Sequence, residues 1–242
     1  MPIIMLSSLL RGTTWETIQY YLLMFLVLCI SLSVHEASHG WAAYKLGDDT
    51  AYLQGRLTLN PRAHLDPIGT ISFLLAGIGW ARPVPINPAR FDARHSMKKG
   101  IVISSLAGPV SNIVLSVVSA LAFFITVTVA LLIKIPSGNV VYGIFTNFFY
   151  LMYFYNIILA VFNLLPVPPL DGFKIFGALL PDRIYYRLMS YERYIGLVFL
   201  LLVIFGRGIL SNIIQTVSVP FRLAIWDPLE MLFQAVWRAL GI

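Results

Sequence analysis

Long uncharged stretches, each closed by glycine, proline or charge, set the plan of this chain. Ile18 to Val34 carry no charge, and an apolar run of this length at the helical rise approaches the roughly 30 Å of a bilayer core. It predicts a first helix from about Thr14 to Lys45, stopped by Gly47-Asp48-Asp49. Thr13-Thr14-Trp15-Glu16 fits a capping box with Thr13 as N-cap, and Trp15 suits an interfacial anchor. Ile101 to Ile133 forms a second uncharged run, kinked or broken at Gly108-Pro109 and followed by a turn over Lys134-Ile135-Pro136-Ser137-Gly138. Val140 to Leu165 predicts another span, ended by Pro166-Val167-Pro168-Pro169. Tyr194 to about Ile214 predicts a last one, weakened by Gly206-Arg207-Gly208. The tail beyond residue 215, with Trp226, Trp237 and Arg238, has the amphipathic character of an interfacial helix.

Residues 46–100 have another texture. Tyr52 to Leu59 reads as a short strand or hairpin, and Asn60-Pro61 and Asp66-Pro67 are turn signals. Ile68 to Trp80 is apolar but short and contains Gly69, Gly77 and Gly79, which suits a re-entrant or interfacial segment. Arg82-Pro83-Val84-Pro85-Ile86-Asn87-Pro88 predicts an extended, proline-stiffened loop. The expected architecture is therefore an all-α polytopic membrane protein. It is a bundle of about four to six transmembrane helices with a small membrane-associated β-sheet or re-entrant region. Residues 1–242 form one membrane-embedded domain, with a core over about 14–193 and a tail over 215–242.

Composition sharpens this reading. Hydrophobic residues make up 58% of the chain and charged residues 12%, where a soluble domain has about 45–50% and about 25%. The formal net charge of +6 does not indicate nucleic acid, because the basic residues lie in loops between apolar runs. They point to topology and to anionic lipid headgroups. Lys45, Arg56, Arg62, Arg82, Arg90, Arg94, Lys98 and Lys99 share one loop region, and Lys174, Arg183, Arg187 and Arg193 another. Only Arg11 and Lys134 fall in the opposite-side segments before the last span. The positive-inside rule then makes both basic regions cytoplasmic and the N-terminus external. Cys29, the single cysteine, has no internal disulfide partner and reads as a small packed residue.

The candidate chemistry closes the first run, in His35-Glu36-Ala37-Ser38-His39. Two histidines four apart on a helix project from one face and can share a zinc ion. Glu36 is placed to take a proton from a water molecule. The helix climbs about 26 Å from Ile18 to His35, so the cluster stays below the far membrane surface. Ionisable groups at such depth are costly and mark a functional site. Ser31, Ser33, Ala37, Ser38, Gly40, Ala42 and Ala43 are small, so neighbouring helices can close around this half. Cleavage of the run as a signal peptide, near Ala42-Ala43, would destroy the motif, so a leader is not expected.

A zinc site needs a third protein ligand and an open position. Asp171 is the strongest candidate, since the prolines before it stop a helix beside a polar cavity. Asp66 and His64 are rivals, although Asp66 suits a turn former, and His95 reads as a solvated loop residue.

With these residues in view, the chain resembles the site-2 proteases, the intramembrane zinc metalloproteases. His35-Glu36-Ala37-Ser38-His39 and Asn163 through Gly172 are similar to the two motifs of that family. Leu57 through Gly69, Gly79 through Pro88 and Ala107 through Asn112 are similar to segments of its compact bacterial and archaeal members. The resemblance spans about residues 20–180. It implies His35, His39 and Asp171 as ligands of one zinc ion and Glu36 as general base and acid. It also implies that Asn163 and Asn112 face the cleft, holding a substrate strand or the oxyanion. Residues 50–90 would form a sheet able to pair with an unwound substrate, a membrane protein or signal-peptide-like segment. No PDZ-like insertion, C-terminal nucleotide-sensing domain or extra leading helix is expected. The alternatives are a membrane zinc protease of the kind that processes prenylated C-termini, and a transporter or scaffold holding metal without hydrolysis.

Overall fold

The computed structural model describes residues 15–76, 79–94, 96–136, 138–205 and 207–242. The expected capping box and His95 therefore lie wholly or partly outside the described residues.

Three of the described helices are long and apolar enough to cross a membrane. They are α1 (Trp15–Lys45), α5 (Met97–Leu132) and α6 (Val140–Asn163). Between α1 and α5 lie three short helices, α2 (Thr50–Leu53), α3 (Pro61–His64) and α4 (Pro67–Ala76), and a 3-10 turn at Pro88–Arg90. After α6 come α7 (Asp171–Gly177), α8 (Asp182–Ser190), α9 (Glu192–Phe205) and α10 (Arg207–Phe221). A π-helical turn, Arg222–Trp226, joins α10 to α11 (Asp227–Leu240).

The ends of the spans follow from local chemistry. Gly47, at φ +102°, closes α1. Its N–H bonds to the Tyr44 carbonyl and the Asp48 N–H to the Ala43 carbonyl, the paired bonds of a Schellman turn. Ser96 caps α5 through the Lys99 N–H, and Asn139 caps α6 through the Tyr142 N–H. The expected kink at Gly108-Pro109 is not a break, because α5 runs through Pro109 as one helix.

Packing among the spans mixes apolar and small polar groups. α5 packs against both α6 and α1, and beside apolar groups such as Val27, Phe124, Leu151 and Ile157 the spans bury small polar ones: Ser31, Ser33, Ser104, Ser105, Asn112, Ser116, Ser119 and Asn156. Leu22, Leu26, Val110, Val114, Val118 and Ile125 are exposed, facing where lipid would lie. Hydroxyls bond back to their own helices, as from Ser33 to the Cys29 carbonyl and from Ser119 to the Leu115 carbonyl. Cys29 is buried and unpaired, as expected.

One expectation is corrected. The described residues contain no strand and so form no membrane-associated β-sheet. The stretch from Tyr52 to Leu59 begins inside α2 and turns at Gly55 (φ +65°), and the pairing found among the described residues is an isolated antiparallel bridge between Leu65 and Ala81. Pro83, Pro85 and Pro88 remove the donors that a ladder would need. Among the described residues three helices have the length and composition of a span. The segment expected to span over 194–214 is helical on both sides of residue 206, as α9 and α10. The tail predicted to be amphipathic is helical and attaches to α5. The Trp237 indole donates to Thr128 Oγ1 at 2.8 Å, and Phe233 stacks on Phe124 with ring centroids 5.2 Å apart.

Candidate metal centre

His35 and His39 face inward from the last third of α1 with their rings edge to face, centroids 4.5 Å apart. Asp171, the first residue of α7, reaches both. Its Oδ2 lies 3.2 Å from His35 Nε2 and 3.0 Å from His39 Nε2, and the two Nε2 atoms are 3.0 Å apart. All three residues are buried. The local sequence explains how Asp171 arrives there. Prolines end α6, and Gly172 lets α7 fold back tightly, since a Cβ there would stand 2.3 Å from the Leu164 carbonyl oxygen. α5 comes equally close on the other side, where a Cβ on Gly108 would stand 2.3 Å from His39 Nε2.

The outer nitrogens of both rings are tied down. His39 Nδ1 donates to the Ser104 carbonyl at 2.7 Å, and His35 Nδ1 pairs with Asn112 Oδ1 at 2.5 Å. Asn112 Nδ2 donates to Asn156 Oδ1 at 2.7 Å, while Asn156 Nδ2 donates to Ser31 Oγ and to the Met152 carbonyl. Each acceptor thus places the ring proton on Nδ1 and turns a bare Nε2 toward Asp171.

Burial opposes charge on Asp171. The neighbouring Lys174 charge favours the carboxylate. Lys174 Nζ lies 3.6 Å from Oδ1.

Three electron-rich atoms this close repel one another unless a positive charge sits among them. Zinc bonds of about 2.0–2.1 Å in tetrahedral array separate neighbouring ligand atoms by about 3.3 Å. The observed 3.0–3.2 Å separations come within a few tenths of that. The residues fit zinc, and the outer partners on both rings are the kind that hold metal-ligating histidines in register. His35, His39 and Asp171 also form the metal-capable His/Cys/Asp/Glu group found among the described residues.

Glu36 is half-buried beside the trio, and its Oε2 accepts the Val84 N–H at 2.9 Å. Asn163, the last residue of α6, is half-buried and donates from Nδ2 to the Leu159 carbonyl at 2.9 Å. Asn112 does not face a cleft: it is fully buried behind His35. The rivals for third ligand sit elsewhere in their own bonding. Asp66 Oδ1 accepts the Gly69 N–H at 2.8 Å and caps α4, and His64 Nε2 bonds to the Thr58 carbonyl at 2.7 Å. The sequence reading missed Ser104, Gly108 and Asn156. A side-chain amide in the middle of an apolar span was the available signal for Asn156.

A bundle of apolar spans holding a buried His-His-Asp group beside a glutamate defines a membrane-embedded metallopeptidase. A match to peptidase family M50 covers residues 23–204, and the chain belongs to that family, the site-2 proteases, whose members are zinc metalloproteases. It is 38% identical over 222 residues to "Putative zinc metalloprotease YwhC" of Bacillus subtilis, covering 90% of this chain and 93% of that protein. It is 31% identical over 159 residues to "Putative zinc metalloprotease Rip2" of Mycolicibacterium smegmatis, covering 63% of this chain and 54% of that protein. The protein of the same name in Mycobacterium tuberculosis H37Rv is 26% identical over 244 residues, covering 94% and 88%. No solved structure matches the chain significantly.

Proposed function

We propose that this protein is an intramembrane zinc metalloendopeptidase. It hydrolyses peptide bonds in or beside the transmembrane segments of membrane-protein or signal-peptide-like substrates, in regulated intramembrane proteolysis. The observation that carries this reading is the buried trio of His35, His39 and Asp171 within three apolar spans. The trio lies near one end of the bundle: His39 is six residues from the end of α1, and Ser104 is seven from the start of α5. At the helical rise, both place it about 10 Å inside the helix ends. The basic loops 45–100 and 166–193 emerge at that same end, which supports a cytoplasmic-facing site in a multi-pass cell-membrane protein with its N-terminus outside.

His35, His39 and Asp171 would hold the zinc ion, which when bound supplies Lewis acidity toward a water molecule and a scissile carbonyl. Glu36 takes the proton of the attacking water and returns it to the amine leaving group. Asn163 keeps a second N–H beyond its bond to Leu159, available for the developing oxyanion or a substrate strand. Asn112 holds the His35 ring rather than substrate, through its bond to Nδ1. A helical substrate must unwind locally to expose a peptide bond. With no sheet in the described residues, the extended stretch around Val84 is the backbone nearest Glu36 for it to meet.

Glu36→Gln tests the assignment. Purified wild-type and variant are given a single-span test substrate with and without a zinc chelator. Cleavage should fall by about 10²–10⁴-fold in the variant, with zinc content unchanged, and should vanish in the chelated wild type. Cleavage by the variant at the wild-type rate would remove Glu36 as the base, and chelator-resistant cleavage would remove the metal.

A further inference from the structure

Pro83-Val84-Pro85 has one backbone donor in three residues, because neither proline carries an N–H. That donor, Val84 N–H, goes to Glu36 Oε2 at 2.9 Å. The segment is held on both sides of this contact. Before it, the Arg82 N–H bonds to the His64 carbonyl at 2.7 Å, next to the Leu65–Ala81 bridge. After it, the Asn87 N–H bonds to Asp48 Oδ2 at 2.6 Å. The carbonyls immediately preceding Val84 are held by one side chain. Arg56, 8% exposed, donates from a single guanidinium nitrogen to the Arg82 carbonyl at 2.7 Å and to the Pro83 carbonyl at 3.2 Å. Val84 itself is buried, and a Cβ on Gly40 of α1 would stand 3.1 Å from its Cγ1. The strap therefore lies against the helix face that carries Glu36.

We propose that Arg56 is a positioning residue for Glu36, acting through this strap. The guanidinium fixes two successive carbonyls, which aims the one N–H between the prolines at Oε2. Oε1 is left for proton transfer. A buried cation is an expensive way to hold a loop, and its placement here has a second consequence: Arg56 and Glu36 interact electrostatically. Burial and the neighbouring Arg82 charge push the guanidinium pKa down, and the Glu36 carboxylate pulls it back up. The carboxylate thus gains a fixed donor and a nearby positive charge without either entering the reaction. Lysine is not an equivalent, since its compact, strongly hydrated ammonium on a flexible stem is harder to bury and to hold in place than the guanidinium.

This inference rests on the reading of Glu36 as the base, and the test separates the two. Wild type, Arg56→Gln, Arg56→Lys and Val84→Pro are compared on the single-span substrate for kcat, KM and bound zinc. Val84→Pro deletes the donor itself in a stretch already extended by its neighbours. Arg56→Gln and Val84→Pro should each lose about 10–100-fold in kcat, with KM and zinc content near wild type. Arg56→Lys should fall between wild type and Arg56→Gln. Wild-type kcat in either Arg56→Gln or Val84→Pro overturns the proposal, as does loss confined to KM or accompanied by loss of zinc. If Glu36→Gln cleaves normally, the base assignment fails instead. Should Arg56→Gln not fold, Val84→Pro alone decides.

Discussion

The motif half of α1 and the C-terminal helices meet the same membrane with opposite chemistry. Around His35 and His39 the interior is polar, and a chain of bonds runs from His35 through Asn112 and Asn156 to Ser31. Around Trp226 the contacts are aromatic, with ring centroids 4.8–5.5 Å from Phe123, Phe124, Tyr150 and Tyr153, and no described residue of α11 is buried. Aromatic contacts need no partner groups and tolerate rearrangement, and each pair adds about 0.5–1.5 kcal/mol beyond its area. A buried amide or imidazole must have its partner in place, or it costs about 1–3 kcal/mol. The polar network is therefore a means of fixing geometry, and the aromatic cluster a means of attachment.

Substitutions can break this contrast at graded depths. The largest effect is expected from Asp171→Asn, which leaves the two bare nitrogens facing a neutral amide. Its zinc affinity should fall by more than the roughly 10–100-fold that loss of an outer partner costs, and cleavage should fall with it. Elemental analysis of the purified variant checks this, and full zinc occupancy would take Asp171 out of the ligand set. Asn112→Leu keeps the volume but frees His35 Nδ1. Zinc affinity should drop by about 10–100-fold, measured by competition with a chromophoric chelator, and an unchanged value would mean that the ring is held by packing alone. The smallest effect belongs to the other region. Trp237→Phe removes the bond to Thr128 while keeping the ring, so stability in detergent should fall by about 1 kcal/mol with kcat unchanged. A loss of activity there would show that the aromatic attachment also shapes the site.

How far the sequence could be read depended on the range of the interaction. His35, Glu36 and His39 were legible because helical periodicity alone puts two imidazoles on one face. Asp171 was legible as the carboxylate in a proline-stopped turn, although residue numbers could not show it 3.0 Å from His39. Asn112 entered through the family resemblance, as a residue of the cleft, and its bond to His35 depends on how α1 and α5 meet. The region 46–100 misled most. Tyr52 to Leu59 has strand-forming residues, yet its neighbours are prolines, an arginine side chain and a glycine in the left-handed region, none of which offers a ladder.

By itself the sequence determined what local physics and solvent impose: the apolar spans over α1, α5 and α6, the glycine stop after α1, the face that carries both histidines, and the metal class. Tertiary structure alone decided which carbonyl holds each ring, that Gly108 and Gly172 must lack side chains, and that Val84 holds Glu36. Those features join residues tens of positions apart, where α1, α5 and the chain beyond α6 meet, and no periodicity along one segment encodes the distance between two.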